Sequence, residues 1–223
     1  MIARVLRIMP GPIARSAALG VLAGALLVSV ATAGPALGFM EDWPGTSLST
    51  WSGGSDLTNP GTDGVGGPGD GFLLVSTPFV ARLGTMSAGA EYGGDWMAAN
   101  VNIVKVWLND VNAVEPLEIH FSIGNAFNFW EYNIGFVPPH NEWKEFIVDL
   151  SSSANFTRII GQGTFAAALQ NVDRVHLRHD RPPFGQVPDF LMGDFGIDRL
   201  LLQTSDAAPV APISWGRLKS LYR

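Results

Sequence analysis

No cysteine occurs anywhere in the 223 residues. That excludes disulfides, thiolate catalysis and cysteine-based zinc sites together. Charge is also sparse, with Asp, Glu, Lys and Arg making up 15% of the chain, too little for a set of long helices with solvated charged faces. The strained serine turn of the α/β-hydrolases is missing too, because no G-x-S-x-G is present. The apolar run Ala17–Val30 falls short of the roughly 18 to 20 residues that span a bilayer. Glycine and proline are plentiful, at 26 and 15 residues, and the hydrophobic fraction is 47%. Such a chain suits many short strands, joined by tight turns, around an ample core.

The N-terminus reads as an export signal. Arg4, Arg7 and Arg15 flank the apolar run, and Ala31-Thr32-Ala33 supplies small residues before a cleavage point, so residues 1–33 are expected to be removed as a signal peptide. Cleavage leaves eleven basic residues against twenty acidic ones, a net charge of −9. Setting aside the basic residues 205–223 as well leaves −11 on the body. So acidic a body repels phosphate backbones, which excludes nucleic acid as a partner and favours divalent cations. With the signal gone no membrane span is expected, and the localisation implied is secreted, extracellular or cell envelope.

The clearest element is the stretch Leu117–Phe136. Leu117, Ile119, Phe121 and Ile123 alternate with polar residues up to Gly124-Asn125, and Trp130, Tyr132, Ile134 and Phe136 alternate after it. This is period two on both arms of a hairpin. Further strands are expected at Phe72–Ser76, Val101–Leu108, Trp143–Leu150, Arg174–Asp180 and Asp194–Gln203, with one short helix at Thr164–Asn171 capped by Thr164. Ser52–Gly71 and Arg181–Asp189 read as loops, and Arg82–Gly94 as irregular. The fold class is therefore all-β: an antiparallel β-sandwich over residues 39–204 with Phe121, Ile123, Phe146, Val148, Val175 and Leu177 inside. Residues 205–223 read as a linker and a short amphipathic tail able to contact the envelope.

In this order, several pieces carry a resemblance. They are Phe39 with Glu41-Asp42, Trp51, Gly69-Asp70-Gly71-Phe72-Leu73, Tyr92-Gly93-Gly94-Asp95-Trp96, Trp143 before Phe146-Ile147-Val148-Asp149-Leu150, Val175-His176-Leu177-Arg178 and Ile197-Asp198-Arg199-Leu200-Leu201. Together the body resembles the laminin B-type and carbohydrate-binding-module jelly rolls of the galactose-binding-like superfamily, as a free-standing bacterial relative. The resemblance implies a structural calcium where the opening and closing strands meet, held by Glu41 and Asp198 with help from Asp70. Calcium wants six to eight oxygen ligands, which carboxylates and Gly-rich loop carbonyls supply.

Sugar binding needs aromatic platforms beside polar groups. Trp107 and Trp130 are the platforms available, with His120, Glu131, Arg174, His176 and Arg178 as polar partners, whereas Trp51, Trp96 and Trp143 read as core. His176 and His179 lie three apart on a strand and face opposite ways, which argues against zinc. Carboxylate pairs such as Glu118 with Glu131 are expected by chance in so acidic a body, so no catalysis is assigned. The function expected is a secreted, non-catalytic module for carbohydrate or another extracellular polymer. The alternative is a structural or adhesion domain of the envelope with a protein partner.

Overall fold

The computed structural model describes residues 34–205. The signal-peptide reading of residues 1–33 and the tail reading of residues 206–223 lie outside the described residues. No helix among the described residues is long and apolar enough to cross a membrane.

Twelve strands follow one another: β1 Met40–Glu41, β2 Trp51–Ser52, β3 Asp56–Thr58, β4 Leu73–Arg82, β5 Gly84–Ser87, β6 Ile103–Asp110, β7 Ile119–Asn125, β8 Asn128–Tyr132, β9 Lys144–Asp149, β10 Phe156–Gly161, β11 Arg174–His179 and β12 Phe190–Gln203. One helix, α1 Phe165–Leu169, precedes β11. The first sheet runs β3-β4-β12-β6-β9, with β1 paired to the end of β12, and the second runs β10-β8-β7-β11-β5-β2. Every strand pairing is antiparallel. The all-β sandwich with one short helix is the fold that the alternation implies.

The inner faces follow from period two. Val104, Val106 and Leu108 of β6 and Phe195 and Ile197 of β12 meet Phe121 and Ile123 of β7 and Val175 and Leu177 of β11 in one core of fully buried side chains. Val148 is buried, and Phe146, half-buried, packs on Phe136 with ring centres 4.6 Å apart. Thr164 caps α1 by accepting from the Ala167 amide at 3.1 Å, and Phe165 and Leu169 are buried.

Four segments differ from the sequence expectation, one of them Asp56–Thr58, a short strand on β4 inside the stretch read as loop. The strand that begins at Leu73 does not stop at Thr77-Pro78 but continues to Arg82, because the pairing with β12 slips between Leu191 and Gly193 and Pro78 falls at that bulge, where a missing N–H is tolerated. Gly84–Ser87, read as irregular, is a strand between β11 and β2. Phe156–Gly161 is an edge strand whose register slips between Arg158 and Ile160, and that slip erases the alternation that would have marked it.

The long Gly-rich loop is an ordered cover on the outer face of the first sheet. Asn59 joins its ends, donating to the Trp43 and Ser47 carbonyls and accepting from the Gly61 and Phe72 amides. Trp143 lies over β12, its indole N–H bonded to the Asp63 carbonyl at 3.0 Å. The fit requires glycine at 196, where a Cβ would come within 2.6 Å of the Trp143 ring.

Phe121 is completely buried, so Phe121→Ala is expected to lower the unfolding free energy by about 3–5 kcal/mol. Urea denaturation measures it; an unchanged midpoint would mean that the residue does not lie between the sheets.

Candidate functional site

The face of the second sheet that points away from the core is polar yet closed to solvent. Register places His120 beside Arg178, Ser122 between His176 and Glu131, and Phe129 beside Gly124 on this one face. His120, Ser122 and Glu131 are fully buried, as are Arg178 and Asp180 to within 1%. Alternation makes this face the outward one, and the fold covers it. The Arg181–Asp189 loop folds across it, setting Phe184 against His120 with ring centres 4.8 Å apart and placing the Gly185 carbonyl 2.6 Å from the Arg178 guanidinium.

Arg178 is the centre of the arrangement. One of its terminal nitrogens also reaches Glu131 Oε2 at 2.5 Å and pairs with Asp180. A single cation thus serves two buried carboxylates. The contact to Glu131 is close but poorly aimed, since neither Glu131 oxygen has an aligned donor. Burial therefore dominates: it raises the Glu131 carboxyl to about 8, with Arg178 pulling down and Asp180 pushing further up. His176 packs on Phe129 at 4.6 Å, and burial, reinforced by Arg178 and Arg174, lowers it to about 3, so it is neutral at physiological pH. Ser122 Oγ, His176 Nε2 and Arg178 Nε are buried without hydrogen-bond partners. The face ends in an opening of about 100 Å³ lined by Gly53, Gly54, Met86, Pro188, His176 and Arg178.

Four of the expected ligand residues, His120, Glu131, His176 and Arg178, are thus brought together. Arg174 shares their face, by alternation along β11, at the start of the strand and is paired with Asp173 at 2.7 Å. The two tryptophans lie elsewhere. Trp130 follows the opposite parity from Glu131 and packs its ring on Phe165 at 5.5 Å, with its N–H bonded to Asn128. Trp107 is on the first sheet, paired with Asp198 and Glu145. Ser122, Asp180, Phe184 and Met86 were not singled out from sequence. Asp180 alone carried a signal, being two residues from Arg178 and so on the same side.

A second cluster lies on the outer face of the first sheet, under the Gly-rich loop. Among the described residues, Asp42, Asp70 and Asp198 bring one carboxylate oxygen each within 4.8 Å of the others. Glu41 is not part of it. As Asp42's neighbour in the chain, Glu41 turns away and accepts from Ser49 at 2.7 Å; this corrects the expected metal set of Glu41, Asp70 and Asp198. Asp198 accepts from the Val65 amide at 2.7 Å and the Arg199 amide at 2.8 Å, yet burial raises it to about 6, with Asp70 and Asp42 adding to the rise. The Arg199 side chain stands 3.5 Å from Asp42 and 3.6 Å from Asp70. Three carboxylates against one guanidinium leave two negative charges when all are ionised, and Asp42 Oδ1 is buried without a hydrogen-bond partner. Such a donor set fits a hard divalent cation.

No family model and no curated sequence relative matches the chain. Similar folds do occur among solved structures. The family 11 carbohydrate-binding module CtCBM11 from Clostridium thermocellum, at 19% identity, covers 76% of this chain and 97% of its own, with a TM-score of 0.50. An exo-β-agarase, at 10% identity, matches 76% of this chain and 25% of its own, with a TM-score of 0.53. The CBM22-1 xylan-binding domain of Paenibacillus barcinonensis Xyn10C, at 10% identity, covers 78% and 99% at 0.46. The likeness to the first two is one of fold: the same jelly-roll sandwich.

Burial raises the carboxyls of Glu131 and Asp198, with those of Glu41 and Asp180, and lowers His176 and His179, and the two sets oppose each other in the pH dependence. A carboxyl that ionises less readily folded than unfolded stabilises the fold while protonated, and this contribution fades as pH rises through its folded value. Below about pH 6.5 this loss is opposed by His176, whose lowered value makes stability rise with pH up to its unfolded value, so the melting temperature is expected to fall between about pH 6.5 and 8, through Glu131. Glu131→Gln should remove that fall. Thermal melts across this range check it, and a stability that climbs from about pH 6.5 to 8 would contradict the assignment.

Proposed function

We propose that the chain is a secreted, non-catalytic carbohydrate-binding module whose ligand site is the outer face of the second sheet around Arg178. The observation that carries this reading is the set of buried polar groups there. A sandwich needs no arginine, histidine and glutamate beneath a loop to be stable, since burying an ion pair gains little over well-packed apolar residues. Nor does stability explain Arg178 Nε, His176 Nε2 and Ser122 Oγ left without partners. Sugar hydroxyls both donate and accept, so they suit an N–H donor beside a neutral imidazole. Glu118 is engaged with His120 at 3.2 Å and Asp180 with Arg178, and Glu131 is fully buried beneath the loop, which supports binding over hydrolysis. The fold shared with CtCBM11 favours the carbohydrate-binding branch of the expected resemblance over the laminin branch.

A glycan array probed with the full chain tests the proposal. Selective binding is expected, reduced roughly tenfold or more in His176→Ala. Binding to no glycan would overturn it.

We further propose that Asp42, Asp70 and Asp198 hold a structural calcium, which would tie the Gly-rich loop to the opening and closing strands. Binding to the folded state alone adds about 2.7 kcal/mol at a hundredfold excess over the dissociation constant. Millimolar calcium should raise the melting temperature, and Asp42→Asn should remove that gain. Identical melting curves in calcium and in chelator would end the proposal.

A further inference from the structure

We infer that the ligand is the end of a neutral glycan, one sugar ring deep, held in a blind pocket beside Arg178 and His176; this rests on the carbohydrate reading above. A polymer binding along its length needs a face open at both ends. Here the middle of the face is filled. Phe184 covers His120, the Gly185 carbonyl covers Arg178, and Phe129, itself only 1% exposed, covers His176 from the other side.

The covering loop is tied down at both ends. The Arg181 amide bonds to Asp189 at 3.0 Å, the Arg181 guanidinium to the Pro116 carbonyl at 2.9 Å, and the Asp189 amide to the His179 carbonyl at 3.0 Å. What remains is the opening at the β5 edge, walled by the Gly53-Gly54 turn, Met86 and Pro188. Its volume of about 100 Å³ lies below the usual range of ligand pockets, which leaves room for one ring at most and not for a chain of several.

The chemistry of the walls agrees with the shape. Glycine builds the floor because nothing larger fits: a Cβ on Gly54 would lie 2.1 Å from the Gly84 carbonyl, and one on Gly84 would lie 2.6 Å from Arg178 Cβ. Met86 and Pro188 offer apolar surface to the C–H face of a sugar. Arg178, 1% exposed, lines the pocket with its Nε–H unpartnered, and His176 Nε2 is buried and unpartnered beside it. The positive charge of Arg178 is already matched by Asp180, so an acidic sugar gains nothing over a neutral one.

Titration of the full chain, by calorimetry or NMR, tests this with D-glucose, D-xylose and D-galactose, with tetrasaccharides of mixed-linkage β-glucan, xylan and agarose, and with the parent polymers. In the series that binds, the tetrasaccharide should fall within roughly threefold of the single sugar, and a polymer should saturate at about one protein per chain end. A gain of about tenfold or more from one ring to four, with many proteins per polymer chain, would overturn the terminal pocket and leave the carbohydrate reading standing. Binding by no member of any series would overturn both. Met86→Trp fills the pocket from the sheet and Pro188→Trp from the loop. Each, if it melts as the parent does, should abolish binding, and a folded variant of either kind with unchanged affinity would overturn the placement.

Discussion

One guanidinium holds the outer layer of the second sheet together. Arg178 joins its own strand to β8 through Glu131 and to the covering loop through Asp180 and the Gly185 carbonyl. Breaking a buried pair by removing one partner costs about 3–5 kcal/mol, because the charge left behind has no water to turn to. The loop cannot lift without exposing that problem. The layer is therefore fixed by electrostatics where the inner core is fixed by apolar packing, and the two depend on each other: β11 presents Val175 and Leu177 to the core only in the register that presents His176 and Arg178 to the loop.

The first sheet solves the same problem in another way. Its outer face is covered by a glycine loop whose backbone is satisfied internally and by Asn59. Glycine is required where the loop comes down on the carboxylates: a Cβ on Gly64 would sit 2.9 Å from Asp198 and 3.0 Å from Asp70. Among the described residues the covers of both outer faces are loop, and α1 packs on the other side of the second sheet, with Phe165 against Trp130. Covers made of loop bring backbone polar groups with them, and each sheet accordingly carries charged residues beneath its cover.

Much of this was legible in the sequence because alternation is a strong signal wherever one face is apolar. The hairpin of β7 and β8, the inner faces of β6, β9 and β11 and the cap of α1 all follow from it. The same alternation also places Trp130 opposite Glu131, so their shared role in one site was excluded by parity alone. The burial of the polar face was not legible. Its cover, Arg181-Pro-Pro-Phe-Gly-Gln-Val-Pro-Asp189, has little apolar content and no period, and only the tertiary fold shows that Phe184 lands on His120. Nor could sequence choose Asp42 over Glu41, since that depends on how β1 meets β12.

The order of the strands has a consequence for how the chain folds. β12 lies at the centre of the first sheet, between β4 and β6, and pairs with β1 as well, yet it follows every other described strand in the sequence. Until it is available, β4 and β6 have no partner in common and β1 has none. The first sheet closes only when residues some 160 positions apart, such as Met40 and Leu201, come together, so the slow step is a long-range search and not local hairpin formation. A ribosome-bound nascent chain ending before Phe190 would hold the hairpin of β7 and β8 but not the sandwich. The sandwich commits to its native state only after β12 has been synthesised.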